Sequence, residues 1–161
     1  MDAISKQTGF TLIELVIVIV LLGILSTGIY FNWPGATINL GGQVNQLADD
    51  LRYTQSLSMT TGSRYRLVKT SATTYQIVNS AGTAIKLALG NTTMTLNSGI
   101  TFGTLTNLPN NLVTFDGLGV PYSDTATPGT QLASSGTITL TAGSESRSVS
   151  ITPQTGSVSV Q

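Results

Sequence analysis

One apolar run near the start of the chain constrains its fold more than any other feature. From Phe10 to Trp33 only Glu14 is charged. A helix of this length, at about 1.5 Å per residue, reaches across a hydrocarbon core of roughly 30 Å. The run therefore predicts a transmembrane helix over residues 10–33. Lys6 precedes it and no basic residue follows before Arg52, so the short N-terminus is expected in the cytoplasm.

Glu14 needs an explanation, because a carboxylate at the centre of a bilayer costs about 2.5 to 3.5 kcal/mol on insertion scales. A generic single-pass anchor gives no reason for it. A secretory signal peptide is the other alternative, but it would have a basic start, a shorter apolar core and a small-x-small cleavage site. Either the carboxylate has a partner, or the run does not lie in a membrane.

The stretch G-FTLIEL, from Gly9 to Leu15, is followed by the long apolar run. In this it resembles the N-terminal signal of type IV pilins and type II secretion pseudopilins. The resemblance implies that residues 1–9 are a leader, that a prepilin peptidase cuts between Gly9 and Phe10, and that the new N-terminus at Phe10 is methylated.

Glu14 becomes the fifth residue of the mature chain under this interpretation. The resemblance implies that its carboxylate neutralises the N-terminal amine of a neighbouring subunit in a filament. Opposite charges attract strongly where the dielectric constant is low, so such a pair would fix the register between subunits. The alternative is that Glu14 meets the amine of its own chain, four residues back on the same helical face.

A second helix is expected after the apolar run. Pro34 and the glycines that follow, Gly35, Gly41 and Gly42, predict a kink or an end near Trp33. Residues 34–61 then form a linker and an amphipathic helix, which extends from about Leu40 to Met59. Its apolar face repeats at alternating spacings of four and three residues, with Leu40, Val44, Leu47, Leu51, Thr54 and Ser58 as the buried stripe. Off the stripe, Asp49, Asp50 and Arg52 are expected on a solvated face.

Beyond Gly62 the pattern changes to a period of two with frequent turn signals. Residues 62–161 should therefore form a β-rich exported domain in which each strand has one core face and one hydroxyl-bearing face. The polar stretch from Val120 to Gly136 is expected to be a mobile loop. Strands are predicted at 64–69, 74–78, 83–89, 92–96, 112–115, 136–142, 146–151 and 156–160.

The fold class that follows is α+β: a hydrophobic transmembrane or assembly helix, then an amphipathic helix packed on antiparallel sheets. The segment LADDLRYTQSLSM, then FDGLG, then the closing ITLTAGSESRSVSITPQTGSVSV resemble the GspH/FimT family of minor pilins and pseudopilins. The resemblance implies a pilin-like β-sandwich and a subunit at or near the tip of a type II secretion pseudopilus or a type IV pilus. Proteins of mannose-sensitive haemagglutinin pili share this layout.

The same resemblance implies the partners and the location of the protein. The partners would be the prepilin peptidase, other minor and major pilins or pseudopilins, the inner-membrane assembly platform and, before assembly, membrane lipid. The chain would cross the bacterial inner membrane once, with its C-terminal domain in the periplasm, before it enters the filament.

Catalysis is not expected, because the chain has no His and no Cys from which to build a nucleophile relay or a zinc site. No cofactor is predicted either. Asp116 and Asp124 flank the stretch GLGVPYS and could share Ca²⁺ with backbone oxygens. Turn-forming aspartates are the favoured interpretation of both, so no metal site is predicted.

Nucleic acid is the remaining candidate partner. Seven basic residues balance seven acidic ones, so no global field attracts phosphate. The stretch SRYRLVK places Arg64 and Arg66 on one strand face and Lys69 on the other, and Arg147 is the one basic residue of the C-terminal region. These four could contact DNA, which makes a DNA-binding minor pilin the alternative. Strand arginines in solvent are the better account, so nucleic acid is not the expected partner.

Overall fold

The computed structural model describes residues 10–31, 35–87 and 90–161. The chain divides into two compact units, Met1–Pro34 and Gly35–Gln161. The predicted leader, residues 1–9, and two of the predicted helix-ending residues, Trp33 and Pro34, lie outside the described residues.

The first unit contains helix α1, Leu12–Phe31. Thr11 caps it, because the Glu14 N–H approaches both the Thr11 side-chain oxygen at 3.3 Å and the Thr11 carbonyl at 3.1 Å. The helix has 20 residues in the described part of the chain, and the last two residues of the predicted transmembrane segment, 10–33, lie outside that part. None of the helices in the described part of the chain is long and apolar enough to cross a membrane.

The second unit begins with helix α2, Gly35–Thr61, which starts earlier than the predicted position near Leu40. The predicted kink or end near Trp33 falls outside the described residues, whereas Gly41 and Gly42 lie inside the helix, as the predicted range from Leu40 to Met59 requires. Each of these glycines costs about 1 kcal/mol relative to Ala in helix propensity, and burial of the apolar stripe outweighs this. The helix ends before Gly62, whose φ of 64° is the left-handed conformation typical of a helix C-terminus.

The predicted stripe of α2 is confirmed, because all six of its side chains have an exposed fraction of 0%. Its two polar members satisfy their hydroxyl groups locally. The Thr54 hydroxyl donates to the Asp50 carbonyl at 2.6 Å, and the Ser58 hydroxyl donates to the Thr54 carbonyl at 3.1 Å. Ser58 also accepts the backbone N–H of Tyr65 at 3.1 Å, which fixes the chain where it leaves the helix for the first strand.

In the described part of the chain, nine strands form two antiparallel sheets. The first sheet has the order β3-β2-β1-β5-β6 and the second has the order β4-β7-β8-β9. Helix α2 packs against β1 and β5 of the first sheet and against β7, β8 and β9 of the second. The strands are β1 Tyr65–Lys69, β2 Thr74–Val78, β3 Met94–Thr95, β4 Thr101–Thr106, β5 Leu112–Phe115, β6 Pro121–Tyr122, β7 Gly136–Ala142, β8 Glu145–Ile151 and β9 Val158–Val160.

One apolar core joins α2 to both sheets. Phe115 and Val113 come from the first sheet, Leu140 and Ile151 from the second, and all four are fully buried. Buried and partly exposed residues alternate along the whole of β7. The buried ones are Gly136, Ile138, Leu140 and Ala142, and the threonines between them are partly exposed. The α+β class, with one amphipathic helix packed on antiparallel sheets, is therefore confirmed.

Three strand predictions need correction. Residues 83–87 of the predicted strand 83–89 form no strand and contribute only a single bridge between Ala84 and Val78, and residues 88–89 lie outside the described residues. The predicted strand at 92–96 shortens to β3. Strand β4 was not predicted, because a register shift between Phe102 and Leu105 breaks the period of two, as a β-bulge does.

The predicted loop from Val120 to Gly136 also contains structure. Its first residues form β6, in which Pro121 pairs with Phe115. Proline is tolerated there because β6 is an edge strand and needs no second ladder partner.

Truncation of the stripe should reveal how much α2 contributes to stability. Leu47→Ala in the unit Gly35–Gln161 should lower the free energy of unfolding by about 2 to 5 kcal/mol, because the surrounding core cannot fill the cavity. Leu118→Ala is the control, since Leu118 is 82% exposed, and it should change stability by no more than about 0.5 kcal/mol. Urea unfolding followed by circular dichroism measures both. Equal losses would contradict the packing of α2 described above.

Candidate functional site

The N-terminus of α1 holds the residues predicted to act in processing and assembly. Gly9 lies outside the described residues, while Phe10 is 84% exposed and Glu14 sits in the first helical turn. Thr11 and Glu14 have the spacing of a capping box, and the N–H of Glu14 is satisfied by Thr11. The carboxylate thus lies at the positive end of the helix dipole. Cleavage, methylation and the partner of Glu14 stay predictions.

In its middle part, from Val16 to Leu21, helix α1 presents apolar side chains on every face. The six consecutive residues from Val16 to Leu21 are 45% to 60% exposed, and six consecutive positions cover the whole circumference of a helix. A helix that is hydrophobic all round is typical of one enclosed by lipid or by other protein. This arrangement supports packing and offers no catalytic chemistry.

Arg64 is engaged within its own chain. Its guanidinium lies 4.4 Å from the centre of the Tyr122 ring, and it donates a hydrogen bond to the carbonyl of Ala126. Hydrogen bonds from Thr130 and Ala126, together with the charge of Arg64, hold the pKa of the Asp124 carboxyl below its usual value. Arg64 therefore ties the start of β1 to the loop that follows β6.

The other predicted DNA-contacting residues are spread over both sheets. Arg66 lies on β1, opposite Thr114 and Val78. Lys69, at the end of β1, has its ammonium 5.7 Å from the centre of the Phe102 ring. Arg147 is exposed on β8 of the second sheet. The structure does not gather the four basic side chains on one strand, and DNA contact stays a prediction.

The two aspartates considered for Ca²⁺ form turns. The Asp116 carboxylate accepts the N–H groups of Leu118 and Val120, each at 2.9 Å. The Asp124 carboxylate accepts the N–H groups of Ala126 at 3.2 Å and Thr130 at 2.9 Å. These are the side-chain-to-backbone bonds that favour Asp in turns.

The sequence did not reveal that Asp50 contacts a strand. Asp49 and Arg52 are exposed and form an ion pair of 2.7 Å, as expected of a solvated face. Asp50, however, is only partly exposed, and its carboxylate accepts the Tyr75 hydroxyl at 2.6 Å. Burial raises the pKa of the Asp50 carboxyl. The contact joins α2 to β2, and no periodic pattern links two residues in different elements.

Comparison with known protein families assigns the chain to one of them. The family described as Type II transport protein GspH matches residues 43–156. The chain belongs to the GspH family. The prokaryotic N-terminal methylation motif matches residues 4–30 of this GspH-family chain. The family comprises structural pilins and pseudopilins and not enzymes.

Solved structures support the fold of this GspH-family chain. The type IV minor pilin FimU of Pseudomonas aeruginosa matches with a TM-score of 0.54 and 15% identity, over 76% of this chain and 87% of FimU. The minor pseudopilin EpsH of the Type 2 Secretion System of Vibrio cholerae matches with a TM-score of 0.53 and 10% identity, over 76% and 96% of the two chains. Comparison with curated protein sequences finds no match.

Removal of Arg64 should loosen the loop that follows β6. Arg64→Ala should lower the free energy of unfolding of this GspH-family domain by about 1 to 2 kcal/mol, because it removes a cation–π contact and a hydrogen bond. Arg147→Ala removes the same side chain from an exposed position and should have an effect within about 0.5 kcal/mol. Urea unfolding measures both. If the two variants were equally stable, Arg64 would not hold the loop.

Proposed function

We propose that this chain is a minor structural subunit at or near the tip of a type IV pilus or a type II secretion pseudopilus. The proposal rests on the part of α1 from Val16 to Leu21, where exposed apolar side chains cover every face of the helix. A large apolar surface is unfavourable in water, so lipid or protein must cover it. The membrane covers it in the precursor, and neighbouring subunits cover it in the filament.

Several findings support this proposal. The family match identifies a pilin-type subunit, and the methylation motif lies at the N-terminus, where a pilin precursor is processed. The two structural neighbours are a type IV minor pilin and a minor pseudopilin. They come from both kinds of filament, so the proposal covers both.

Processing follows from the same proposal. A prepilin peptidase cuts after Gly9, the residues before the cut are lost as the leader, and Phe10 is methylated. The precursor is held at the inner membrane by its N-terminal segment, and residues 62–161 lie in the periplasm. The inner-membrane assembly platform then passes the subunit to the other pilins or pseudopilins.

Glu14 pairs with the amine of a neighbouring Phe10 in this account. In the first turn of α1, the carboxylate is close to the end of the chain that the cut creates. When α1 enters a filament and loses water, an unpaired carboxylate would be costly, and an ammonium group from the next subunit removes that cost. Pairing with the amine of the same chain is the competing arrangement.

DNA uptake is the alternative function, and no specific contact favours it. Arg64 binds Tyr122 and Ala126 within its own chain, so it is not available to neutralise phosphate. Binding that depends on phosphate neutralisation would need several available cations and would weaken steeply with salt.

Glu14→Ala in the full-length protein should block assembly while the protein remains stable in the membrane fraction. The reason is that the lost carboxylate pairs between subunits and contributes nothing to the folded domain. Incorporation into sheared filaments, or secretion where the system is a pseudopilus, measures assembly. Mass spectrometry should show that both the native chain and this variant begin at methylated Phe10.

Gly9→Val is the control for processing, since it should leave the leader attached. Normal assembly by Glu14→Ala would exclude the proposed pairing. Native protein that retains residues 1–9 in a host with active peptidase would contradict the function itself.

A further inference from the structure

A cavity of about 290 Å³ opens beside α2 in the second unit, and Asp49, Asp50, Tyr53 and Leu87 line it. Asp50 and Tyr53 are three residues apart on the helix, so their side chains lie on the same side. Leu87 comes from the segment after β2 and is buried. The cavity therefore combines a carboxylate, an aromatic ring and an apolar side chain.

Asp50 in this cavity receives a neutral hydrogen bond and no ion pair in the described residues. Its carboxylate accepts the Tyr75 hydroxyl at 2.6 Å. The neighbouring cation, Arg52, is held elsewhere: one nitrogen donates to Asp49 at 2.7 Å and another donates to the carbonyl of Val158 at 2.9 Å. Partial burial of Asp50 therefore disfavours the carboxylate form, and a cation that entered the cavity would offset this cost.

Tyr53 and Leu87, which also line the cavity, favour a guanidinium group over an ammonium group. Tyr53 is 44% exposed, so one part of its ring is open to a ligand. A guanidinium group stacks well on an aromatic ring, and it is more weakly hydrated than an ammonium, so less hydration is lost when it enters a cavity. The methylene groups of its side chain can lie against Leu87.

We propose that this cavity binds an arginine side chain from a partner protein, with the guanidinium group at Asp50 and Tyr53. We choose arginine because its charge complements the cavity. Two carboxylates line the cavity, and Arg52 neutralises the more exposed one, Asp49. The negative charge of Asp50 is therefore left for a ligand. That the partner is a neighbouring subunit of the filament rests on the proposed function. Recognition of the arginine side chain itself does not.

The binding test uses the full-length protein, labelled at leucine methyl groups, in zwitterionic detergent micelles. N-acetyl-arginine methylamide is titrated, and the shift of the Leu87 methyl signals reports its binding. The matched neutral ligand is N-acetyl-citrulline methylamide, which has nearly the same shape and no charge. We expect saturable binding of the arginine compound and at least about tenfold weaker binding of citrulline, as loss of a charged partner at a partly buried site predicts.

Two variants assign the contacts. Asp50→Asn keeps an acceptor for the Tyr75 hydroxyl and removes the charge, so it should weaken arginine binding by about tenfold. Tyr53→Leu keeps apolar bulk and removes the ring face, so it should weaken binding severalfold. Glu145→Gln is the control, because Glu145 is an exposed carboxylate on β8, and it should leave binding unchanged. Circular dichroism of each variant establishes that it is folded.

Three results would overturn the proposal: no saturable shift of Leu87, equal binding of the citrulline compound, or unchanged binding by Asp50→Asn. None of them depends on filament assembly. A protein that binds arginine but fails to assemble would contradict the proposed function alone. A protein that assembles but does not bind arginine would contradict this inference alone.

Discussion

Burial of one face of α2 between two sheets holds the globular unit together. The stripe from Leu40 to Ser58 is fully buried, and it contacts strands of both sheets. Each antiparallel sheet has an apolar face that must pack against another layer, and the helix helps to join the two faces into one core. The polar contacts of α2, from Arg52 to the carbonyl of Val158 and from Gln55 to the carbonyls of Gly119 and Thr155, then fix the closing loops and the last strand on this core.

The two helices differ in how their apolar side chains are distributed, and the difference separates their roles. In α2 the apolar residues lie on one stripe, so a single face is satisfied inside the chain. In α1 the exposed residues Val16 to Leu21 cover every face, so no single contact can bury them all. The one-sided stripe of α2 allows the helix to form part of a folded domain. The all-round apolar surface of α1 requires lipid or protein on every side of the helix. Such a division suits a subunit that leaves a membrane and enters a filament.

Features that repeat within one element could be predicted from the sequence. The stripe of α2 and the alternation in β7 follow from local spacing, and both are confirmed. Strand β4 could not be predicted, because its bulge between Phe102 and Leu105 interrupts the period of two. Helix α2 begins at Gly35, earlier than the predicted start near Leu40, because the spacing pattern marks only the part of the helix that carries the buried stripe.

Contacts between side chains of different helices and strands could not be predicted from the sequence. Arg64 was considered as a DNA contact, and its binding to Tyr122 and Ala126 depends on a loop that lies far away in the chain. The link from Asp50 to Tyr75 joins a helix to a strand in the same way. The motif around Gly9 and Phe10 predicted a pilin-type N-terminus, and the segments from LADDLRYTQSLSM onward predicted the GspH family; the comparisons confirm both. The proposed partner of Glu14 belongs to a second molecule, so this pairing stays a prediction.

Under the proposed function, neighbouring subunits surround α1 once the protein is assembled, and photo-cross-linking can detect them. A benzophenone amino acid placed at Ile17, which is 51% exposed, reacts with whatever covers that face of the helix. In cells with an active assembly machinery, the account predicts covalent adducts with pilin-type subunits that disappear when the assembly ATPase is inactivated. The same amino acid at the exposed Leu118 reports contacts of the globular unit for comparison. Adducts at Ile17 that form equally without the ATPase, or that contain no pilin-type subunit in its presence, would contradict the account.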